Sequence, residues 1–98
     1  MKMSCEHAIW HILPAIRREL VRNLVREIGL SQHKTANLIG ISDSAVSQYL
    51  SGKRGMLVIN DQEVLDEISK TAHKIHNGGG FKHEELCRIC TMMRKEMD

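Results

Sequence analysis

The sequence predicts an all-α fold, and three observations support this. Aromatic residues make up only 3% of the 98 residues, whereas a β-sandwich or β-barrel usually contains more aromatic and β-branched side chains. Apolar residues recur with a period of about 3.6 residues in several segments, which is the spacing of one helix face. The chain also contains a single proline, Pro14, so helices are rarely interrupted. A chain of this length is sufficient for one compact domain.

The first predicted helix covers about residues 5–28 and ends at Gly29. The residues of its apolar face are Leu13, Ile16, Leu20, Val21, Leu24, Val25 and Ile28. Arg18, Arg22 and Arg26 recur every fourth residue on a different side of this helix. Their spacing leaves open whether they form a solvated face or a basic stripe directed at DNA or an acidic partner.

The segment of about residues 31–51 has the pattern of two short helices joined by a tight turn. Ala36 offers a small side chain where the two helix backbones approach each other, and Gly40 can adopt the positive φ that such a turn requires. Ser42 is the expected N-cap of the second helix. The side chains expected to face the shared core are Ile39, Ile41, Val46 and Leu50.

The outer face of the second short helix carries side chains that are short or form hydrogen bonds. They are Asp43, Ser44, Ser47, Gln48 and Ser51. A helix that enters the DNA major groove needs such side chains, because the base edges there present hydrogen-bond donors and acceptors. Gln48 is the strongest candidate for a base contact, since a carboxamide can form two hydrogen bonds with adenine.

Further residues of this segment are placed for contacts with the DNA backbone. Gln32 and Thr35 lie at the start of the first short helix, where a helix N-terminus attracts phosphate. Lys34, Lys53 and Arg54 flank the recognition face and would neutralise phosphates. The net charge of +2 permits nucleic-acid binding without requiring it.

Beyond this segment, Asn60 is the expected N-cap of a further helix, with Glu63 three residues later. The residues expected on its buried face are Val64, Leu65, Ile68, Ala72 and Ile75. Three glycines after Asn77 predict a joint before a last helix of about residues 83–97. The expected inward residues of this last helix are Leu86, Ile89, Cys90, Met93 and Met97. We expect residues 1–77 to form the DNA-binding domain, and residues 78–98 to pack on it or on a partner subunit.

The motif from residue 31 to residue 55, with its trailing Ser-Gly-Lys-Arg-Gly, closely resembles the helix-turn-helix of the phage repressor and Cro-like superfamily. Four stretches narrow the resemblance to a group of archaeal predicted transcriptional regulators: Cys5-Glu6, residues 12–17 (ILPAIR), residues 45–55 (AVSQYLSGKRG) and residues 87–90 (CRIC). Some members of that group resemble fusions with a thiamine-phosphate synthase-type domain, which we expect this chain to lack because 98 residues leave no room for it.

The resemblance implies a repressor-like helical bundle extended by C-terminal helices for packing or dimerisation. It also implies sequence-specific binding of double-stranded DNA by a homodimer on an inverted repeat, with a recognition helix at about residues 43–51. An alternative from another class of function is a protein-interaction adaptor whose two short helices pack on another protein. We do not expect an enzyme, because the sequence contains neither a phosphate-binding glycine loop nor a set of nucleophile, base and orienting residue.

Cysteine and histidine residues form a second group of candidate functional residues. His83, Cys87 and Cys90 share one face of the last predicted helix, and Cys5 can join them if the first helix packs beside it. Such ligands suit Zn²⁺ or an iron–sulfur cluster, and the protein would then be a metal- or redox-sensing regulator. The pattern is also compatible with a redox pair or with simple packing, since free cysteine is often a small buried apolar residue. No signal peptide or membrane span is predicted, so we expect a cytoplasmic protein with reduced or metal-bound cysteines.

Overall fold

The computed structural model describes the backbone of residues 4–54, 58–79 and 88–92, and the side chains of residues 12–54, 58–78 and 88–92. These ranges are mostly helical and contain no strand, which confirms the all-α prediction for them. The elements in chain order are α1 (Ser4–Arg22), a first π-helical segment (Asn23–Glu27), α2 (Gln32–Ile39), α3 (Asp43–Ser51), α4 (Gln62–Lys74) and a second π-helical segment (Ile75–Gly79). Residues 88–92 are also helical.

The first helix is continuous through Pro14 but changes its hydrogen-bond pattern before it ends. The N–H of Ile28 donates to the carbonyl of Asn23 over 2.9 Å, which is the spacing of a π-helix. Gly29 then adopts a φ of 95° and ends the helix, as predicted. The predicted single helix of about residues 5–28 is therefore an α-helix followed by one wider turn.

The core lies along α1, which packs against both α3 and α4. The fully buried apolar side chains include Ile12, Ile16, Leu20, Leu24, Val46, Ile68 and Ile75. The inner side of α3 packs against α1 and α2, and such tertiary packing is what most helps to stabilise a short helix in water. Tyr49 of α3 is also buried, although the sequence pattern did not single it out.

The start of α4 differs from the prediction by one residue. Its N-cap is Asp61 and not Asn60, so the predicted cap is wrong. An Asp61 carboxylate oxygen accepts hydrogen bonds from the N–H groups of Glu63 (2.8 Å) and Val64 (3.4 Å). A carboxylate at this position also interacts favourably with the positive end of the helix dipole, which an amide cannot do as strongly.

Four of the five residues predicted on the buried face of this helix are buried: Val64, Ile68 and Ala72 in α4, and Ile75 at the start of the second π-helical segment. The remaining one, Leu65, is only half-buried. Thr71 is buried in addition, although it is polar. Its hydroxyl donates to the carbonyl of Glu67 over 2.9 Å, so the hydroxyl is not left without a partner. A polar residue can thus occupy a core position of a helix when the preceding turn accepts its hydrogen bond.

Residues 88–92 pack against this bundle. Ile89 is fully buried, Cys90 is half-buried, and Arg88 forms an ion pair of 2.6 Å with Glu67 of α4. The predicted inward residues Leu86, Met93 and Met97 lie outside the described residues. Among the helices in the described ranges, none has both the length and the apolar character that crossing a membrane requires.

Candidate nucleic-acid interface

The connection between α2 and α3 is a three-residue turn that begins at Gly40. Gly40 has a φ of 76°, as its predicted role requires, and its N–H donates to the carbonyl of Ala36 over 2.9 Å. The N–H of Ile41 donates to the same carbonyl over 3.0 Å. The Ser42 hydroxyl then accepts from the N–H of Ala45 over 3.0 Å, which confirms Ser42 as the N-cap of α3. Side-chain and backbone hydrogen bonds therefore fix both ends of the turn.

The inner side of α3 is apolar and packed. Val46 is fully buried, Ala45 and Tyr49 are nearly so, and Leu50 is half-buried against the core. On α2, Ala36 and Ile39 are buried beside them, and Ile41 of the turn is half-buried. The residues that we expected to hold the two helices together do contact the core, with Tyr49 as an additional member.

The outer side of α3 carries the predicted polar residues. Asp43, Ser44, Ser47 and Ser51 are exposed, and Gln48 is half-buried. The Ser51 hydroxyl donates to the carbonyl of Gln48 over 3.2 Å, and this bond orients it along the helix. Short side chains on this side leave the α3 backbone accessible to a close approach by another molecule.

The start of α2 contributes exposed polar residues to the same region. Ser31 is its N-cap and accepts from the N–H of Lys34 over 3.0 Å, while Gln32 and Lys34 are exposed. Thr35 is placed differently from the prediction, because its side chain is fully buried. Its hydroxyl donates to the carbonyl of Ser31 over 2.9 Å, so it stabilises the first turn of α2 and is not available for a phosphate contact.

One pair on this surface was not predicted from the sequence. His33 Nδ1 lies 3.1 Å from a carboxylate oxygen of Asp43, and the two side chains are 74% and 62% exposed. The pair joins the first turn of α2 to the first residue of α3. Only the tertiary structure brings them together, because ten residues separate them in the sequence. The contact holds the acidic group of the outer face beside an imidazole that can neutralise it when protonated.

Two basic residues follow the end of α3. Gly52 ends the helix with a φ of 83°, and the exposed side chains of Lys53 and Arg54 follow it. The N–H of Lys53 donates to the carbonyl of Gln48 over 2.9 Å. The guanidinium of Arg54 lies 5.7 Å from the centre of the Tyr49 ring, within the range of a cation–π contact. Tyr49 therefore both fills the core and positions a cation at the end of α3.

The charge balance of this region is positive. From residue 31 to residue 54 the chain contains three cations, Lys34, Lys53 and Arg54, and one acid, Asp43. Three cations against one acid give the segment a net charge of +2, with histidine counted as neutral, so the region around the outer face of α3 is electropositive. A surface of this kind attracts polyanions and also offers hydrogen-bonding groups at its centre.

The predicted cysteine and histidine site is only partly within the described residues. The side chains of Cys5, His83 and Cys87 lie outside them, and Cys90 is half-buried. Within the described ranges, no three histidine, cysteine or acidic residues are grouped in a way that could hold a metal ion. The prediction of a Zn²⁺ or iron–sulfur site therefore stays a prediction.

Comparison of the chain with models of protein families, with curated proteins and with solved structures found no match. The functional argument therefore depends on the geometry and chemistry of α2 and α3 themselves.

Proposed function

We propose that this chain is a sequence-specific transcriptional regulator that binds double-stranded DNA through a helix-turn-helix formed by α2, the turn and α3. In this proposal α3 is the recognition helix and lies in the major groove. The observation that carries the proposal is the division of α3 into a buried apolar side and an outer side of short hydrogen-bonding residues. That division fits a groove whose base edges present donors and acceptors.

The outer residues take different roles in this proposal. Gln48 contacts a base, because its carboxamide can donate and accept at once. Ser44, Ser47 and Ser51 contact bases or the DNA backbone, and Asp43 lies at the same face beside His33. The exposed residues Gln32, Lys34, Lys53 and Arg54 contact phosphates on either side of the groove. Thr35 is left out of this set because its side chain is buried.

We further propose that two copies bind an inverted repeat as a homodimer. The resemblance noted for residues 31–55 supports this arrangement. Two-fold symmetry would place two α3 helices about one DNA turn, ~34 Å, apart on the same side of the duplex. The sequence after α4 contains no pattern typical of a recognition helix, and we assign dimerisation to this part of the chain.

The direct test is selection of bound sequences from a pool of random DNA duplexes, followed by mobility-shift titration of the selected site. Two variants then locate the interface. Ser47→Asp adds a negative charge to the outer face of α3 and should abolish binding by repelling phosphates. Asn77→Asp adds the same charge at an exposed position of the second π-helical segment and should leave the affinity close to that of the unmodified protein.

Three outcomes would contradict parts of the proposal. Failure to enrich any sequence would exclude sequence-specific binding of double-stranded DNA. Equal loss of binding in both variants would show that α3 is not the interface. Selected sites without two-fold symmetry would exclude the homodimer arrangement while leaving DNA binding by α3 in place.

A further inference from the structure

A pocket with a volume of about 380 Å³ lies between the C-terminal part of the first helix and α4. Arg22, Asn23, Arg26 and Glu27 line one wall, at the end of α1 and in the first π-helical segment. Ser69 and His73 of α4 line the other wall. The volume is in the range of small-molecule sites, and these lining side chains are all polar. None of the outward residues of α3 lines this pocket.

The charges of the pocket favour an anionic group. Glu19, which also lines the pocket, forms an ion pair of 3.1 Å with Arg18 and lies 3.7 Å from Arg22. Arg18 contacts Glu19 although it does not line the pocket, so three guanidinium groups stand against two carboxylates, Glu19 and Glu27, and the local charge is positive. Guanidinium groups bind carboxylate and phosphate through paired hydrogen bonds, and two of them here lie one helical turn apart.

The opposite wall offers groups that suit hydroxyls. His73 Nδ1 lies 2.9 Å from the carbonyl of Ser69, so Nδ1 must be the donor in that contact. In the neutral ring Nε2 is then an acceptor. The Ser69 hydroxyl can donate or accept, and the carboxylate of Glu27 can accept. A ligand with an anionic end and hydroxyl groups would therefore find partners on both walls.

The backbone of the first wall is unusual. Asn23–Glu27 form a π-helical turn, which is rare in proteins and is often found at functional sites. The side-chain amide of Asn23 donates to the carbonyl of Glu19 over 2.8 Å at the start of this turn. Residues of the π-helical turn thus form part of the wall of the pocket.

We propose that this pocket binds a small hydroxylated molecule that carries a phosphate or carboxylate group, with that group between Arg22 and Arg26. The site goes beyond DNA binding and does not depend on it, so either proposal can fail alone. The two are physically connected, because Arg26 also donates to the carbonyl of Leu50 in α3 over 3.3 Å. Occupancy of the pocket would therefore affect the end of the proposed recognition helix.

The test is an NMR titration of the isotope-labelled full chain with glycerol 3-phosphate and, separately, with malate. Glycerol serves as the neutral control. We expect saturable shifts of backbone amides in residues 22–27 and 69–73 with at least one of the two anions and none with glycerol. Saturation by glycerol 3-phosphate alone identifies a phosphate ester, saturation by malate alone identifies a carboxylate, and saturation by both supports recognition of the shared anionic group.

Three variants make the result specific. Arg22→Gln should weaken binding at least about tenfold, because a charge-assisted hydrogen bond is lost. Lys70→Gln removes the same charge from an exposed residue of α4 outside the pocket and should leave the affinity unchanged. Ser69→Phe fills the pocket without a change of charge and should abolish binding, with thermal unfolding confirming that each variant folds.

The proposal is overturned if the shifts do not saturate or are spread over the whole surface. It is also overturned if Arg22→Gln and Lys70→Gln weaken binding equally, since the effect would then come from net charge alone. Unchanged binding by folded Ser69→Phe would show that the anion does not enter the pocket.

Discussion

The guanidinium of Arg26 donates a hydrogen bond over 3.3 Å to the carbonyl of Leu50, which lies in the last turn of α3. Carbonyls in the last turn of a helix have no partner within the helix, and a cation there also interacts favourably with the helix dipole. The N–H groups of Gly52 and Lys53 donate to carbonyls of the same turn. Contacts from the two residues that follow α3 and from the first π-helical segment therefore hold the C-terminal end of the proposed recognition helix.

Replacing Arg26 with alanine should loosen this end of α3. We expect faster hydrogen exchange of the Gly52 and Lys53 amides, by about 2- to 5-fold, which corresponds to the ~0.3–1 kcal/mol that a cation contributes at a helix C-terminus. Amide exchange measured by NMR would show this locally. Arg22→Ala is the matched control, because Arg22 lies one turn earlier and forms its ion pair with Glu19. An equal effect of both substitutions on α3 would contradict the role of Arg26.

Replacing Gly40 with alanine should destabilise the protein by about 1–2 kcal/mol, because a side chain at positive φ is strained. Gly40 has a φ of 76°, and an added Cβ would meet no atom within 4 Å, so the cost comes from backbone conformation and not from a steric clash with neighbours. Chemical denaturation would measure the change. Gly40→Asn should cost less, since asparagine tolerates the left-handed region better than alanine. Equal losses in the two variants would point to a cause other than the φ angle.

Local rules were sufficient for the parts of the fold that depend on neighbours in sequence. The turn at Gly40, the cap at Ser42 and the end of the first helix at Gly29 follow from backbone conformation and capping, and the structure has all three. The buried positions Val46 and Ile68 follow from helical periodicity. The outward face of α3 followed from the same periodicity.

The parts that were missed depend on tertiary contacts or on small differences in energy. His33 lies in α2 and Asp43 in α3, and a sequence pattern does not predict which side chains of two different helices come into contact. Thr35 is polar, so its hydropathy does not predict burial. Its hydroxyl can be buried because it donates a hydrogen bond to the carbonyl of Ser31 at the start of α2. Asn60 and Asp61 are both good capping residues, and only the backbone conformation decides between them.

Replacing Gln48 with alanine should reduce discrimination at one base pair of the binding site by about 1–3 kcal/mol, because in the proposed complex the carboxamide makes a two-point contact with a base edge. The measurement is competitive mobility shift with single-base variants of the selected site. Ser44→Ala on the same face is the control for a general loss of contacts. Unchanged preference at every position in Gln48→Ala would show that this residue does not read the sequence.

Replacing Lys53 with glutamine should weaken binding to all DNA sequences alike. Lys53 is exposed beyond the end of α3, and its proposed partner is a phosphate, which carries no sequence information. The slope of the logarithm of the binding constant against the logarithm of salt concentration should fall by about 1. Lys74→Gln removes the same charge from the last turn of α4 and should leave the slope intact. A change of sequence preference in Lys53→Gln would contradict a phosphate contact.

The ion pair between Glu67 and Arg88 should make stability depend on pH. The hydrogen bond from Arg88 holds the pKa of Glu67 below its ordinary value of 4.5, although partial burial opposes this. Because the folded state binds this proton less readily than the unfolded state, the pair stabilises the fold fully above that ordinary value. Its contribution is lost as the pH falls through the lowered pKa of the folded state.

Glu67→Gln should therefore lower the free energy of unfolding at neutral pH by about 0.2–1 kcal/mol, the range of partly exposed ion pairs. Urea denaturation at a series of pH values should show the unmodified protein and the variant converging as the solution becomes acidic. A double-mutant cycle with Arg88→Gln isolates the pair. Losses of stability that do not come from the pair add up in the double variant, so they cancel when the two single-variant losses are subtracted. A difference between the two proteins that stays constant with pH would show that the carboxylate charge of Glu67 does not hold residues 88–92 against α4.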